Sequence, residues 1–116
     1  MKPEINKAIV KKYFDMWNTG NAELADEILS PVYVDVGHPE IKSVEDVKKS
    51  VYAVRNAFPD FQITIDTQVC EGTIVALMGT ISRTKDGKKV ISQVMWFVRF
   101  ENERMAELRT GIVTPG

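Results

Sequence analysis

The spacing of apolar residues changes at Phe61, and this change constrains the fold more than any other feature of the sequence. Before it, apolar residues recur every three or four positions, as on amphipathic helices; after it they alternate, as on half-buried strands. The alternating runs are separated by short turns, of which Asp86-Gly87 is a strong two-residue hairpin signal. We therefore predict an α+β fold in which helices cover an antiparallel sheet.

Three helices and a short strand are predicted in the first half of the chain. The first helix starts near Pro3 and ends at Gly20, and the second ends at Pro31. Ser43 can cap the third helix, which Pro59 ends. The short strand covers residues 32–36, and the long strands are expected at 61–70, 74–84, 89–100 and 105–113.

Composition excludes several functional classes. The 116 residues suit one domain, 1–116, and 15 basic against 16 acidic residues produce no field that attracts nucleic acid or a membrane surface. A single histidine, His38, and a single cysteine, Cys70, predict no metal site, and we expect no cofactor. The lone cysteine, the absence of a signal-peptide pattern and the lack of a long apolar run predict a cytoplasmic protein outside the membrane.

Counting outward from the two-residue turns, Asp86-Gly87 and Asn102-Glu103, assigns side chains to the two faces of the sheet. One face is apolar along the middle strands and is expected to lie under the helices as the lining of a pocket. Its expected members are Val75, Leu77, Val94, Trp96 and Val98. The same count places Glu107 opposite Val98 and Arg109 opposite Trp96, so both charged residues are predicted to face the pocket.

The opposite face has a second apolar patch, for which the chain has no further segment as a cover. The patch comprises Met78, Met95, Phe97 and Leu108. A second copy of the chain is the simplest cover, so we predict a homodimer through these residues.

Four segments resemble the nuclear-transport-factor-2-like superfamily, and within it the SnoaL-like polyketide cyclase and ketosteroid-isomerase-like group. They are Trp17-Asn18-Thr19-Gly20-Asn21, Ser30-Pro31-Val32-Tyr33-Val34-Asp35, Ala57-Phe58-Pro59-Asp60-Phe61 and Arg104-Met105-Ala106-Glu107. The resemblance covers nearly the whole chain. It implies a conical half-barrel with its pocket inside the curve of the sheet, and commonly a dimer through the outer face.

The sequence departs from this group at three positions. Val36 stands where a histidine often follows the short strand, and His38 comes two residues later. Arg109 stands where a tryptophan is frequent, and Val113 where the cyclases carry an acidic residue. The resemblance to the isomerases offers Tyr13 and Asp35 as counterparts of their tyrosine and aspartate.

Glu107, Asp35 and His38 are the candidate catalytic residues. Glu107 would be a general acid or base among apolar neighbours, and Arg109 would bind an oxyanion or a ligand carboxylate; alternatively the two form a structural ion pair. Asp35 could abstract a proton from carbon, or only hydrogen-bond the following turn. His38 could shuttle protons at the rim of the pocket, or simply be solvated.

The candidate ligand-binding residues are aromatic and aliphatic. Besides Arg109 they are Trp96, Tyr13, Trp17, Tyr52, Leu77, Val94 and Val98, all of which could instead only pack in the core. The leading hypothesis is an isomerase or cyclase that uses cofactor-free acid–base chemistry on a small apolar carbonyl compound. The alternatives are a noncatalytic module that binds an apolar ligand and a dimerisation module of the same fold.

Overall fold

Helices precede the long strands, as the change of spacing predicts. The computed structural model describes residues 3–113. Its helices are α1 (Pro3–Thr19), α2 (Leu24–Ile28) and α3 (Val44–Ala57). Its strands are β1 (Leu29–Asp35), β2 (Gln62–Glu71), β3 (Ile74–Lys85), β4 (Lys88–Glu101) and β5 (Arg104–Val113).

The five strands form one curved, unclosed sheet in the order β1-β5-β4-β3-β2, which confirms the predicted α+β class. Strands β2 to β5 are an antiparallel meander, as expected. The sheet is not wholly antiparallel, because β1 joins its edge parallel to β5. Sequence reasoning left this strand unpaired. The long connection from β1 to β5, through α3 and three strands, lets the two strands run in the same direction.

The turn chemistry fixes two hairpins as predicted. Asp86 and Gly87 have φ values of 53° and 77°, and Asn102 and Glu103 have values of 51° and 60°. Two successive left-handed residues match the twist of a two-residue hairpin. The β3–β4 register therefore continues from its turn along both strands, with Leu77 opposite Trp96, as counted from the sequence.

The β4–β5 register shifts by one residue close to its turn, and this contradicts the sequence count. Phe100 lies opposite Met105 as predicted, but Arg99 then lies opposite Glu107, which leaves Ala106 as the extra residue. Beyond this point Val98 faces Leu108 rather than Glu107. A slip of one residue exchanges the two faces of a strand, so every later side chain of β5 is on the face opposite to the predicted one.

Burial explains why the shifted register is favoured. In the unshifted register Glu107 and Arg109 would lie under the helices, and desolvating two charges costs several kcal/mol. The extra residue instead turns Leu108 inward, where it is 2% exposed, and leaves the charges outside. Met105 and Ala106, buried next to each other, interrupt the alternation and are the sequence signal of the shift.

A second shift divides β2. Ile65 lies opposite Gly79, but Thr67 then lies opposite Met78, which leaves Asp66 as the extra residue. The turn into β3 has two residues, Gly72 and Thr73, rather than the expected three, because Glu71 pairs with Ile74. Side chains in the first half of β2 therefore lie on the predicted faces of the sheet. Those from Thr67 onward lie on the opposite faces, because their pairing with β3 is shifted by one residue.

The core lies between the inner face of the sheet and the helices. It includes Val10, Met16, Ile28, Val51, Val75, Val94, Val98 and Met105, all at most 2% exposed. Spacings of three and four predict an apolar stripe on α1 that includes Ile5 and Ala8, but the helix is rotated: these two residues are exposed, and Val10 and Phe14 are buried. This rotation brings Tyr13 and Phe14 together toward the sheet.

The end of α1 is tied to an edge strand by one side chain. The Asn18 amide nitrogen donates to the Ile63 carbonyl at 2.9 Å, and its amide oxygen accepts from the Ile63 N–H at 2.7 Å. The amide thus satisfies backbone groups on the open side of β2, which a neighbouring strand would otherwise pair. This contact fixes α1 over the inner face.

Candidate functional site

A pocket of about 270 Å³ lies between the inner face of the sheet and the helices. We call it the inner pocket. Its lining residues are Tyr13, Phe14, Trp17, Asp35, His38, Glu40, Ile41, Ser50, Val54, Phe61, Ile63, Ile81, Trp96, Leu108 and Thr110. Most of this lining is apolar or aromatic, and a few polar groups gather on one side, which is typical of a small-molecule site.

Asp35 and His38 form the polar centre of the inner pocket. His38 Nδ1 lies 3.1 Å from Asp35 Oδ1; Asp35 is 6% exposed, whereas the His38 side chain is half exposed. Asp35 points inward because it alternates on β1 with exposed Val34. The turn after β1 folds back, since the His38 N–H donates to the Asp35 carbonyl at 3.1 Å. The backbone therefore holds the histidine beside the carboxylate.

Tyr13 supplies a hydroxyl to the same pocket. Burial, and to a lesser extent the Asp35 carboxylate, raise the pKa of Tyr13 to about 12, against a smaller opposing effect of Trp17 and Tyr33. The hydroxyl therefore remains protonated near neutral pH and can donate a hydrogen bond. The rings of Tyr13 and Trp17 meet edge to face at 6.2 Å between centroids.

Tyr33 lies behind this group on β1 and is 4% exposed. Burial, then the neighbouring Tyr13 and Asp35, raise its pKa strongly. Tyr13 is close enough to influence this pKa, but the Tyr33 hydroxyl has no partner that meets hydrogen-bond geometry among residues 3–113. An unpaired buried hydroxyl is unusual and costs free energy.

Trp96 forms the sheet side of the pocket. Its ring packs on Phe14 of α1 with 4.7 Å between ring centroids. Gly79 on the neighbouring strand makes room for the indole: a β-carbon there would lie 2.9 Å from Trp96 Cζ3 and would collide with the Thr64 carbonyl oxygen. The position of Trp96 thus depends on a residue without a side chain.

The structure gathers five of the predicted site residues: Tyr13, Trp17, Asp35, His38 and Trp96 all line the inner pocket. Four others lie elsewhere. Leu77, Val94 and Val98 are buried in the core without lining this pocket, and Tyr52 is 55% exposed on the surface of α3. Tyr52 is displaced because α3 turns Val47 and Val51 inward instead.

Glu107 and Arg109 are not in the inner pocket, which corrects their predicted location. The register shift puts them on the outer face, where Arg109 Nε donates to Glu107 Oε2 at 2.6 Å and Arg99 Nε donates to Oε1 at 3.1 Å. These hydrogen bonds, from Arg109 first and Arg99 second, hold the pKa of Glu107 below its ordinary value. Glu107 is therefore an ionised member of a surface network, unsuited to act as a general base in the pocket.

Several lining residues were missed by sequence reasoning. Thr110 replaces Arg109 in the pocket because of the register shift. Glu40 and Ile41 reach the mouth through the turn after β1, in which the Ile41 N–H donates to the His38 carbonyl at 2.9 Å. The Gly37-His38-Pro39 sequence predicted a turn, but nothing in its pattern showed that the turn closes over the sheet.

The outer face of the sheet carries an apolar groove of about 460 Å³, which we call the outer groove. Met78, Met95 and Phe97 lie in it, with 44%, 48% and 50% of their surfaces exposed. Leu108 does not, because the shifted register turns it into the inner pocket. The predicted interface thus keeps three of its four residues on one exposed face.

Within residues 3–113, no three His, Cys, Asp or Glu side chains are placed together so as to hold a metal ion. In the same range, no helix has both the length and the apolar character needed to cross a membrane.

A curved, unclosed sheet with helices over its inner face and a small apolar pocket between them defines a class of α+β domains. Residues 10–108 match the model of the SnoaL-like domain. The chain belongs to this family, as the four sequence segments indicated.

Solved structures show the same fold. TsrD from Streptomyces laurentii superposes with a TM-score of 0.84 at 16% identity, over 91% of this chain and 86% of that one. A SnoaL-like polyketide cyclase from Agrobacterium tumefaciens gives a TM-score of 0.81 at 14% identity, over 93% and 91% of the two chains. No curated protein matches the sequence. At these identities the likeness establishes the fold.

Proposed function

We propose that the inner pocket is the active site of a small enzyme of the isomerase or cyclase type, which uses cofactor-free acid–base chemistry on an apolar carbonyl compound. The observation that carries the proposal is the Asp35–His38 pair: a buried carboxylate, 3.1 Å from a half-exposed imidazole, in an otherwise apolar pocket. The volume of about 270 Å³ lies near the lower end of small-molecule sites, which favours a compact substrate.

Each polar group has a role that its position supports. Asp35 is the base that removes a proton from the carbon next to the substrate carbonyl, and Tyr13 donates a hydrogen bond to the resulting enolate oxygen. His38 touches both Asp35 and solvent, so it orients the carboxylate and exchanges the proton. The proton then returns to another carbon in an isomerisation. In a cyclisation, the enolate carbon bonds to a second carbonyl carbon, whose oxygen takes the proton.

Exchange of α-protons tests this chemistry without knowledge of the natural substrate. Two-ring ketones such as 2-tetralone are incubated with the protein in D2O, and proton NMR follows the loss of the α-proton signal. We expect the wild-type protein to accelerate exchange for some of these ketones. Asp35→Asn should lower that rate by about 100-fold or more, the usual contribution of a positioned base. His38→Gln should lower it less, because the carboxylate remains.

Glu107→Gln is the matched control. It removes the same type of group, but on the outer face, so the exchange rate should not change while circular dichroism confirms that each variant folds. Equal rates for Asp35→Asn and wild type would contradict the assignment of the base. If ketones raise the midpoint of thermal unfolding but none exchanges, the pocket belongs to a noncatalytic binding module.

We propose in addition that the outer groove is the interface of a homodimer. Support comes from Met78, Met95 and Phe97, half exposed side by side on a face that no helix of the described chain covers. The Glu107 charge beside them is matched by Arg99 and Arg109, so this carboxylate would not repel a second copy.

A further inference from the structure

The charges around the inner pocket are distributed unequally. Among the described residues that line it, none is Lys or Arg, and the ionisable groups are Tyr13, Asp35, His38 and Glu40. Tyr13 is uncharged near neutral pH, because its pKa is about 12. The remaining three carry a charge of −2 with neutral His38 and −1 with protonated His38. The pocket is therefore negative in either state of the histidine.

The Glu40 carboxylate is the negative charge of the pocket that has no cationic partner in the described chain. It lies in the turn after β1 at the mouth of the pocket, is exposed, and makes no ion pair within residues 3–113. The Asp35 carboxylate, in contrast, faces His38. The guanidinium groups of Arg99 and Arg109 are bound to Glu107 on the other side of the sheet, so they do not balance the pocket.

We infer that the inner pocket takes uncharged carbonyl compounds and excludes their carboxylate analogues, with Glu40 as a specificity-determining residue. This inference rests on the proposed function only in taking the inner pocket as the ligand site. A carboxylate entering it would lose water beside apolar walls and would meet the Asp35 and Glu40 charges, with no Lys or Arg in the described lining to bind it. A neutral carbonyl would lose less, and the Tyr13, Ser50 and Thr110 hydroxyls can donate to it.

This reverses the expectation drawn from the sequence, in which Arg109 was to bind an oxyanion or a ligand carboxylate. With Arg109 on the outer face, the described lining holds no Lys or Arg that would bind a carboxylate. The substrate class narrows from apolar carbonyl compounds in general to ketones, aldehydes, esters and amides that carry no acid group.

A matched pair of probes tests the inference through binding alone. 2-Acetylnaphthalene and 2-naphthoate share one ring system and differ in the charge of one substituent. Trp17 lines the inner pocket and not the outer groove, whereas Trp96 lines both, so quenching of Trp17 fluorescence reports occupancy of the inner pocket. We expect the ketone to bind at least about tenfold more tightly than the carboxylate, a difference of about 1.4 kcal/mol.

Glu40→Gln should raise the affinity for naphthoate several-fold and leave that for the ketone nearly unchanged. Because Glu40 is exposed, the gain should shrink at high salt. Glu71→Gln is the control: it removes the same charge from an exposed position outside the pocket, so the ratio of the two affinities should stay at the wild-type value.

Three results would overturn the inference: naphthoate binding as tightly as the ketone, an unchanged ratio in Glu40→Gln, or no binding of either probe. These results are separable from those of the exchange assay. Selective binding of the ketone without proton exchange would contradict the proposed acid–base chemistry and leave the selectivity of the pocket standing. Exchange that depends on Asp35, together with tight naphthoate binding, would contradict the inferred selectivity and leave the proposed chemistry standing.

Discussion

At the scale of single residues, most polar groups in and around the candidate site have a hydrogen-bond or ion-pair partner, and one buried hydroxyl does not. Asp35 has His38 as a partner, and Glu107 is held by two guanidinium groups. Tyr33 has a buried hydroxyl without a partner in the described chain, although it lies beside Tyr13 and Asp35. A buried hydroxyl without a hydrogen bond of good geometry lowers stability relative to an apolar ring.

Tyr33→Phe should therefore stabilise the protein. The change keeps the ring and removes an unpaired buried hydroxyl, so we expect the free energy of unfolding to rise by about 1 kcal/mol, within the range for such groups. Urea denaturation followed by circular dichroism measures this. Tyr52→Phe, the same change at an exposed tyrosine, should have no measurable effect. Destabilisation by Tyr33→Phe would show that the hydroxyl has a partner in solution.

At the scale of elements, the pocket depends on how α1 is held over the sheet. The helix carries Tyr13, Phe14 and Trp17, so a change in its angle would move one whole wall of the pocket. Its C-terminal end is fixed by the Asn18 amide on the backbone of Ile63, a contact 45 residues apart in sequence. This side chain thus connects the end of α1 to the sheet.

Asn18→Ala should weaken this connection. It removes two hydrogen bonds and leaves the N–H and C=O of Ile63 without these partners, so we expect a loss of about 2 kcal/mol of stability. Thermal unfolding should show a decrease of several degrees in Tm. Asn56→Ala, at an exposed asparagine near the end of α3, is the control and should leave Tm within error. A similar Tm for both variants would mean that α1 is held by packing alone.

At the scale of the whole molecule, the sheet separates two apolar surfaces. The inner pocket lies under the helices, and the outer groove is open. The one-residue shift in β5 divides the charged and apolar residues between them, because it sends Leu108 inward and Glu107 outward. A homodimer through the outer groove would bury the second surface while leaving the mouth of the inner pocket free.

Met78→Glu tests the dimer. A carboxylate at this position lies opposite Met95 in the outer groove and would be desolvated without a partner on association, so the variant should sediment as a monomer where the wild-type protein sediments as a dimer. Ile112→Glu adds the same charge to an exposed residue opposite Val94, outside the outer groove, and should leave the dimer intact. A wild-type monomer at micromolar concentration would contradict the proposed interface.

Local sequence patterns were sufficient for most of the fold. The change of apolar spacing located the helices and strands, and Asp86-Gly87 and Asn102-Glu103 fixed two hairpins, because turn conformation depends on neighbouring residues. The placement of Tyr13, Trp17 and Trp96 at the pocket followed from the faces of their elements, and His38 and Asp35 are joined by a turn three residues long.

The sequence by itself thus determined the class of fold, the family and the aromatic side of the pocket. Only the tertiary structure decided which face Glu107 and Arg109 occupy. Their location depends on a single extra residue, Ala106. A count outward from the hairpin turn assumes regular pairing, so it assigned every later residue of β5 to the wrong face. The choice is made by the free energy of burying Leu108 instead of two charges, a balance that exists only once helices and sheet come together.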